Sequence, residues 1–197
     1  MELMPIYINS DKFSCLIIGG GKAAKIKLKA LLKNGIKPTC ISPVINEDIS
    51  VLVKENELVW NEKKYTKGDI RDFNLVIIAT DNESLNSDIV SECEQRNLLF
   101  VDTTNPQRGN FIIPASIKKA DLNIAITSSG NSPLLVRRLR KHIEDFLPKE
   151  SEDMISEIGR LRRDIIEKSH GCEVEKKRLM NEELTPLIDE FIKNIIK

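Results

Sequence analysis

The stretch LIIGGGKAAKIK at residues 16–27 constrains the fold of this chain more than any other. An apolar run short enough for a buried strand meets three glycines, then a pattern with Ala24, Leu28, Leu31 and Leu32 on one helical face. Gly19, Gly21 and Ala24 fall on the marked positions of G-x-G-x-x-G/A. The first glycine permits a tight turn, the second lets a pyrophosphate approach the backbone, and a small third residue allows close helix–strand packing. Free amides at the helix N-terminus then face the phosphates, helped by the helix dipole. The alternative is a glycine-rich connection that holds nothing. A strand before the turn and a helix after it favour the nucleotide reading.

The same alternation continues. FSCLIIG (13–19), KPTCIS (37–42), ELVWN (57–61), NLVIIAT (74–80) and NLLFVDT (97–103) read as strands, with NFIIPA (110–115) a further candidate. Residues 22–33 and 83–96 read as helices, and Asn34-Gly35 closes the first. Strands alternating with helices predict right-handed crossovers and a doubly wound parallel α/β sheet. The pattern changes after Pro114. DLNIAITSSGNSP (121–133) gives one more strand and a polar turn, and PLLVRRLRKHIEDFL (133–147) a helix with proline at its first position and Pro148 at its end. From Ser151 onward the chain reads as helical. Met154, Ile158, Leu161 and Ile165 form one apolar stripe, and Leu187, Phe191 and Ile195 another, with Thr185-Pro186 as a start signal for the last helix. Such stripes pack on the chain's own core or on a partner subunit.

Composition narrows the function. The 197 residues carry 30 basic and 30 acidic side chains, so no global field draws in nucleic acid. No apolar stretch is long enough for a membrane span, and MELMPIYINSDKF lacks the layout of a signal peptide. A cytoplasmic protein that engages neither membrane nor nucleic acid is expected. The four cysteines, at 15, 40, 93 and 172, form no CxxC pair, and His170-Gly171-Cys172 has no further ligands nearby, so no metal site is expected. One element of the dinucleotide pattern is missing. An acidic residue about 20 positions on would bind the adenine ribose, but the second strand ends Ile41-Ser42-Pro43. Ser42 can hydrogen-bond a ribose hydroxyl, and it supplies no charge against a 2′-phosphate. Chemistry alone leaves NAD and NADP open.

IIGGGKAAKIKLKALLKNG, VIIATDNESLN, FIIPASIKKADLNIAITSSGNSPLLVRRLR and EDFLP, in this order and spacing over residues 5–148, resemble the precorrin-2 dehydrogenase family. That family supplies the dehydrogenase, and in some members the ferrochelatase, of sirohaem synthesis. The resemblance implies NAD-dependent oxidation of precorrin-2 to sirohydrochlorin. It implies a Rossmann-like parallel-sheet domain over 1–112, a small α+β dimerisation region over 113–148 and a C-terminal helical domain over 149–197, in a homodimer. Carried over by motif, Gly19, Gly21, Lys22 and Ala23 surround the pyrophosphate. Ser42 and Pro43 lie near the adenosine, and Thr80, Asp81 and Asn82 border the cofactor beyond the fourth strand.

The sequence departs from the family after the fifth strand. The family's Asn-x-x-Asp-Asp run, whose first aspartate is the proposed acid/base, is here Asp102-Thr103-Thr104-Asn105-Pro106. Asn105 falls on the aspartate position, and an amide does not exchange protons like a carboxylate. Asp102 is either the displaced base or a strand-end residue capping a turn. An anionic tetrapyrrole substrate needs basic partners. Arg137, Arg138, Arg140 and Lys141 cluster on one helix, with Lys118 and Lys119 flanking the preceding strand. Ser128, Ser129, Asn131 and Ser132 sit just before that helix. Ser128, Asn131, Arg137, Arg138 and Lys118 are the substrate-binding candidates. A solvated helix face is the alternative for the arginines. Competing readings are a bifunctional dehydrogenase/ferrochelatase, a nucleotide-sensing regulatory domain, and a tetrapyrrole carrier without catalysis. Two histidines and Asn105 favour dehydrogenation alone.

Overall fold

Alternate side chains of the central strands face different layers of the protein, and that alternation organises the first of two units. The computed structural model describes residues 2–147 and 151–196, which divide into units over 1–113 and 114–197. In the first unit, β1 (Cys15–Ile18), β2 (Thr39–Ile41), β3 (Trp60–Asn61), β4 (Leu75–Ile78) and β5 (Leu99–Asp102) form one sheet in the order β3-β2-β1-β4-β5. All four pairings are parallel. Helices α1 (Lys22–Lys33), α2 (Glu47–Glu55) and α3 (Glu83–Gln95) cross over between strands. Cys15, Ile17, Leu75, Ile77 and Val101 pack with Ala24, Leu28 and Leu31 of α1 and Ile49 of α2. Leu16, Ile18, Val76, Ile78 and Phe100 pack with Ile89, Val90 and Cys93 of α3 on the opposite face. The β1 and β4 residues are all buried, as a sheet covered on both faces requires.

The order reverses between β1 and β4, so their carboxyl ends open a crevice at the switch point. The second unit holds an antiparallel pair, β6 (Ala115–Lys119) and β7 (Leu122–Ile126), and α4 (Pro133–Phe146). Helices α5 (Ser151–Lys168), α6 (Glu173–Leu179) and α7 (Thr185–Ile196) follow. Ile165, Leu179 and Leu184 form their small core.

The structure corrects one sequence expectation and adds one helix. NFIIPA is not a strand. Asn110 instead closes the sheet edge, donating its N–H to the Phe100 carbonyl (3.2 Å) while its Oδ1 accepts from the Phe100 N–H (2.9 Å). Pro114 has no N–H to extend such a ladder, Phe111 and Ile113 pack on the core from irregular backbone, and the strand starts at Ala115. Lys118 and Lys119 lie at the end of β6, directly before β7, the strand they were expected to flank. Helix α2 is an addition, capped by Asn46, whose Oδ1 accepts from the Ile49 N–H (2.9 Å). Thr185-Pro186 opens α7, as the sequence predicts, but without a break before it: Thr185 has helical φ/ψ and its Oγ1 bonds back to the Met180 carbonyl, across a π-helical stretch Met180–Leu184 that joins α6 to α7. Pro148, read as the end of α4, lies outside the described residues.

Candidate functional site

The crevice has a volume of about 900 Å³ and is built from the ends of four strands. Its floor is the Gly19–Gly21 turn, and each glycine answers a different demand. Gly19 has φ +122, and a Cβ there would meet the Ala79 carbonyl oxygen at 2.2 Å. A Cβ on Gly20 would meet the Val44 carbonyl oxygen at 2.0 Å. Gly20, an unmarked position of the motif, is thus as tightly confined as Gly19. Gly21 differs: nothing lies within 4 Å of its Cβ position and its φ is −93. The fold itself makes no demand for glycine there. The space that a side chain would fill is open, and Gly21 lines the crevice.

Helix α1 starts at this point without a side-chain cap and without an acidic residue in its first turn. Helices α2 and α3 are both capped by asparagine side chains, and both have acidic first turns. The open amides and positive dipole end of α1 therefore suit an anion held in the crevice. An open glycine and an uncapped, acid-free helix start are the features a dinucleotide pyrophosphate requires, so the residues present fit that group.

Around this floor the structure gathers Gly19, Gly21, Lys22, Ala23, Ser42, Pro43, Thr80, Asp81 and Asn82, nine residues singled out from sequence. Some are already engaged. Ser42 is buried and its hydroxyl donates to the Val44 carbonyl (2.6 Å), so towards a ribose it retains only acceptor capacity. Asn82 Oδ1 accepts the Leu85 N–H (3.0 Å) as the α3 cap.

Asp102 and Asn105 are not among the lining residues; Thr103 and Thr104 are. The Asp102 side chain is fully buried. Its Oδ1 accepts from the Thr104 N–H (2.9 Å), the Thr104 hydroxyl (2.7 Å) and the Asn105 N–H (3.1 Å). Its Oδ2 lies 2.8 Å from Arg108 Nη2. Burial pushes this carboxyl upward, but those hydrogen bonds and the guanidinium outweigh burial and hold it below the ordinary carboxylate value. Of the two sequence readings, the geometry favours the turn cap. Asn105 is exposed and enters this arrangement through its backbone N–H.

Sequence reasoning missed the residues that brace the crevice. Asn86 is fully buried on α3. It accepts from the Thr80 hydroxyl, donates to the Thr80 carbonyl (3.0 Å) and reaches Thr104 Oγ1 (3.3 Å), tying the loops after β4 and β5 together. Arg108 Nη1 donates to Ser87 Oγ (2.9 Å) and returns the network to α3. The available signal was spacing, because Asn86 lies one helical turn beyond the cap Asn82, on the inward face. Lys64 and Tyr65, from the loop after β3, also line the crevice. Tyr65 donates to Glu92 Oε2 (2.6 Å), and Glu92 also accepts the Gly68 N–H (3.0 Å) and pairs with Arg96 (3.2 Å).

The remaining candidates belong to the second unit. Ser128 Oγ accepts the Ser132 N–H (2.9 Å) in the turn before α4, where Asn131 is exposed. Arg137 and Arg138 are exposed on α4, Arg140 is paired with Glu144 (2.6 Å), and Lys118 is exposed on β6 opposite Asn123.

Comparison with known proteins agrees with this geometry. A family model described as "Putative NAD(P)-binding" matches residues 6–115. The chain belongs to this NAD(P)-binding family. A second model, described as "Sirohaem biosynthesis protein central", matches residues 121–145 of the NAD(P)-binding chain. A siroheme synthase of Ruthia magnifica subsp. Calyptogena magnifica is 31% identical over 88% of this chain and 37% of its own length. One from Zymomonas mobilis subsp. mobilis is 31% identical over 85% of this chain and 36% of its own length. The chain thus spans little more than a third of these relatives. The solved structure of SirC, a precorrin-2 dehydrogenase, shares the fold with a TM-score of 0.72 at 20% identity, covering 98% of both chains.

Proposed function

We propose that this chain oxidises precorrin-2 to sirohydrochlorin with NAD⁺ in sirohaem or cobalamin biosynthesis, acting as a dehydrogenase without chelatase activity. The observation that carries the reading is the α1 N-terminus, uncapped and free of acidic residues, opening beside Gly21. The match of residues 121–145 to a sirohaem central domain supports the choice of a tetrapyrrole substrate.

NAD⁺, when bound, supplies the hydride acceptor. The chain's own residues hold and orient. The α1 amides, with Gly19, Gly21, Lys22 and Ala23, take the pyrophosphate, Ser42 and Pro43 border the adenosine, and Thr80, Asp81 and Asn82 border the other half. Asp102 takes no proton: it is buried, ion-paired and held ionised. The proton lost after hydride removal leaves to solvent, and Asn105 does not relay it. Ser128, Asn131, Arg137, Arg138 and Lys118 meet the substrate's carboxylates, with arginine forks suited to them.

We read 113–148 as a dimerisation region and 149–197 as a helical domain of a homodimer. In support, α4 has no buried residue, while Leu134, Leu135, Leu139 and Phe146 stand exposed on it. Such an apolar face calls for a partner. Among the described residues no helix is long and apolar enough to cross a membrane, and we place the reaction in the cytoplasm. The test is anaerobic incubation of enzymatically generated precorrin-2 with NAD⁺, followed by the sirohydrochlorin spectrum. Turnover that requires both protein and NAD⁺ is expected; binding of NAD⁺ without turnover would contradict the assignment.

A further inference from the structure

The crevice runs along the carboxyl ends of four neighbouring strands, and its two ends meet different parts of a dinucleotide. Ser42 and Pro43 follow β2, the glycine turn follows β1, Thr80 and Asp81 follow β4, and Thr103 and Thr104 follow β5. The β2 end takes the adenine ribose and the glycine turn the pyrophosphate. The half of the cofactor that accepts the hydride therefore falls to the loops after β4 and β5. The last backbone hydrogen bond between these two segments, among the described residues, runs from the Thr103 N–H to the Ile78 carbonyl (2.9 Å).

Beyond that point a side chain joins them. Asn86 is fully buried on α3, and the sense of each of its bonds follows from its partners. The Thr80 carbonyl can only accept, so Asn86 Nδ2 donates to it (3.0 Å) and Oδ1 is left to accept from the Thr80 hydroxyl. Ionised Asp102 can only accept, so the Thr104 hydroxyl donates to its Oδ1 (2.7 Å), and Thr104 Oγ1 in turn accepts from Asn86 Nδ2 (3.3 Å). One arrangement satisfies the whole chain of bonds, and it fixes Thr80 and Thr104, which both line the crevice, relative to each other. The Thr104 hydroxyl is the joint through which Asn86 reaches the β5 loop.

We infer that Asn86 is a positioning residue for hydride transfer, acting through the Thr104 hydroxyl to hold the β4 and β5 loops at the spacing that seats the nicotinamide half of the cofactor. This rests on the proposed dehydrogenation, in which precorrin-2 gives a hydride to NAD⁺ and a proton to solvent. The test is calorimetric titration of the full chain with NAD⁺ and with ADP-ribose, which lacks the nicotinamide, alongside kcat. Thr104 is exposed, so Thr104→Val removes the hydroxyl without opening a core cavity, and Thr104→Ser keeps it. Thr104→Val is expected to raise the ratio Kd(NAD⁺)/Kd(ADP-ribose) at least fivefold and to lower kcat about tenfold or more, as a misplaced reactant does. Its affinity for ADP-ribose should stay within twofold of wild type. Asn86→Ala, measured per folded molecule, should show the same pattern, and Thr104→Ser should stay within threefold of wild type throughout. A Thr104→Val variant whose ratio does not move, or that weakens both ligands alike, overturns the inference. So does a Thr104→Ser variant that behaves as Thr104→Val does. In a wild type that binds NAD⁺ without turnover, the proposed function fails and the binding ratio alone decides the inference. If wild type binds neither ligand, the crevice is not the dinucleotide site and both fall.

Discussion

At the scale of residues, Asp102 decides how the proton chemistry is understood. Breaking a buried ion pair by removing one partner costs about 3 kcal/mol, because the other charge stays behind. Asp102→Asn is therefore expected to lower stability by roughly that amount in urea unfolding. Turnover per folded molecule should fall less than tenfold, whereas a lost general base costs about 10²–10⁴-fold. A fall in that larger range at unchanged stability would restore Asp102 as the base. Because the folded carboxyl sits below its ordinary value, its stabilisation is complete above about pH 4 and is lost as pH falls through the lower folded value. Glu92 acts in the same direction: burial raises it, but Tyr65, the Gly68 N–H and Arg96 more than compensate. Wild type should therefore lose stability steeply on acidification below about pH 4, and Asp102→Asn less steeply over the same range. Equal slopes for the two proteins would contradict this account.

At the scale of elements, the three helices of the sheet unit differ in how they begin. Asn46 and Asn82 close the starts of α2 and α3, and Asn46→Ala should cost about 1 kcal/mol in thermal or urea unfolding. A cost near zero would mean that tertiary packing, not the cap, fixes α2. The sheet and the α1 turn were legible in the sequence because apolar runs such as LVII and CLII, bounded by glycine and asparagine, have few other uses. Helix α2 was not legible: nine residues rich in valine and isoleucine satisfy strand and helix patterns alike. The edge at Asn110 was misread because a side chain there does the work of a strand's backbone. Within the site, the lining residues of the glycine turn could be named from sequence, since backbone conformation and close approach restrict residue type. Of the bracing residues, Asn86 was marked only by its spacing from Asn82, and Glu92 and Tyr65 by nothing, because only tertiary contact distinguishes them from any polar residue on a helix or loop.

At the scale of the whole molecule, the two units carry different burdens. The first completes its core within residues 1–113, while α4 of the second leaves Leu135 and Leu139 more than 40% exposed. Sedimentation equilibrium should therefore give twice the 22.3 kDa chain mass, and Leu135→Glu with Leu139→Glu should shift the protein to monomer. A monomeric wild type would refute the dimer. The first unit trades stability for binding at one point, the uncapped start of α1. Gly21→Asp fits the backbone there, caps the helix and places a negative charge where the pyrophosphate would lie. It should raise stability by about 1 kcal/mol. The most direct measurement is therefore NAD⁺ titration of wild type and Gly21→Asp, alongside their unfolding curves. The account predicts a variant that is more stable and binds NAD⁺ at least a hundredfold more weakly; a variant that binds NAD⁺ as wild type does would contradict it.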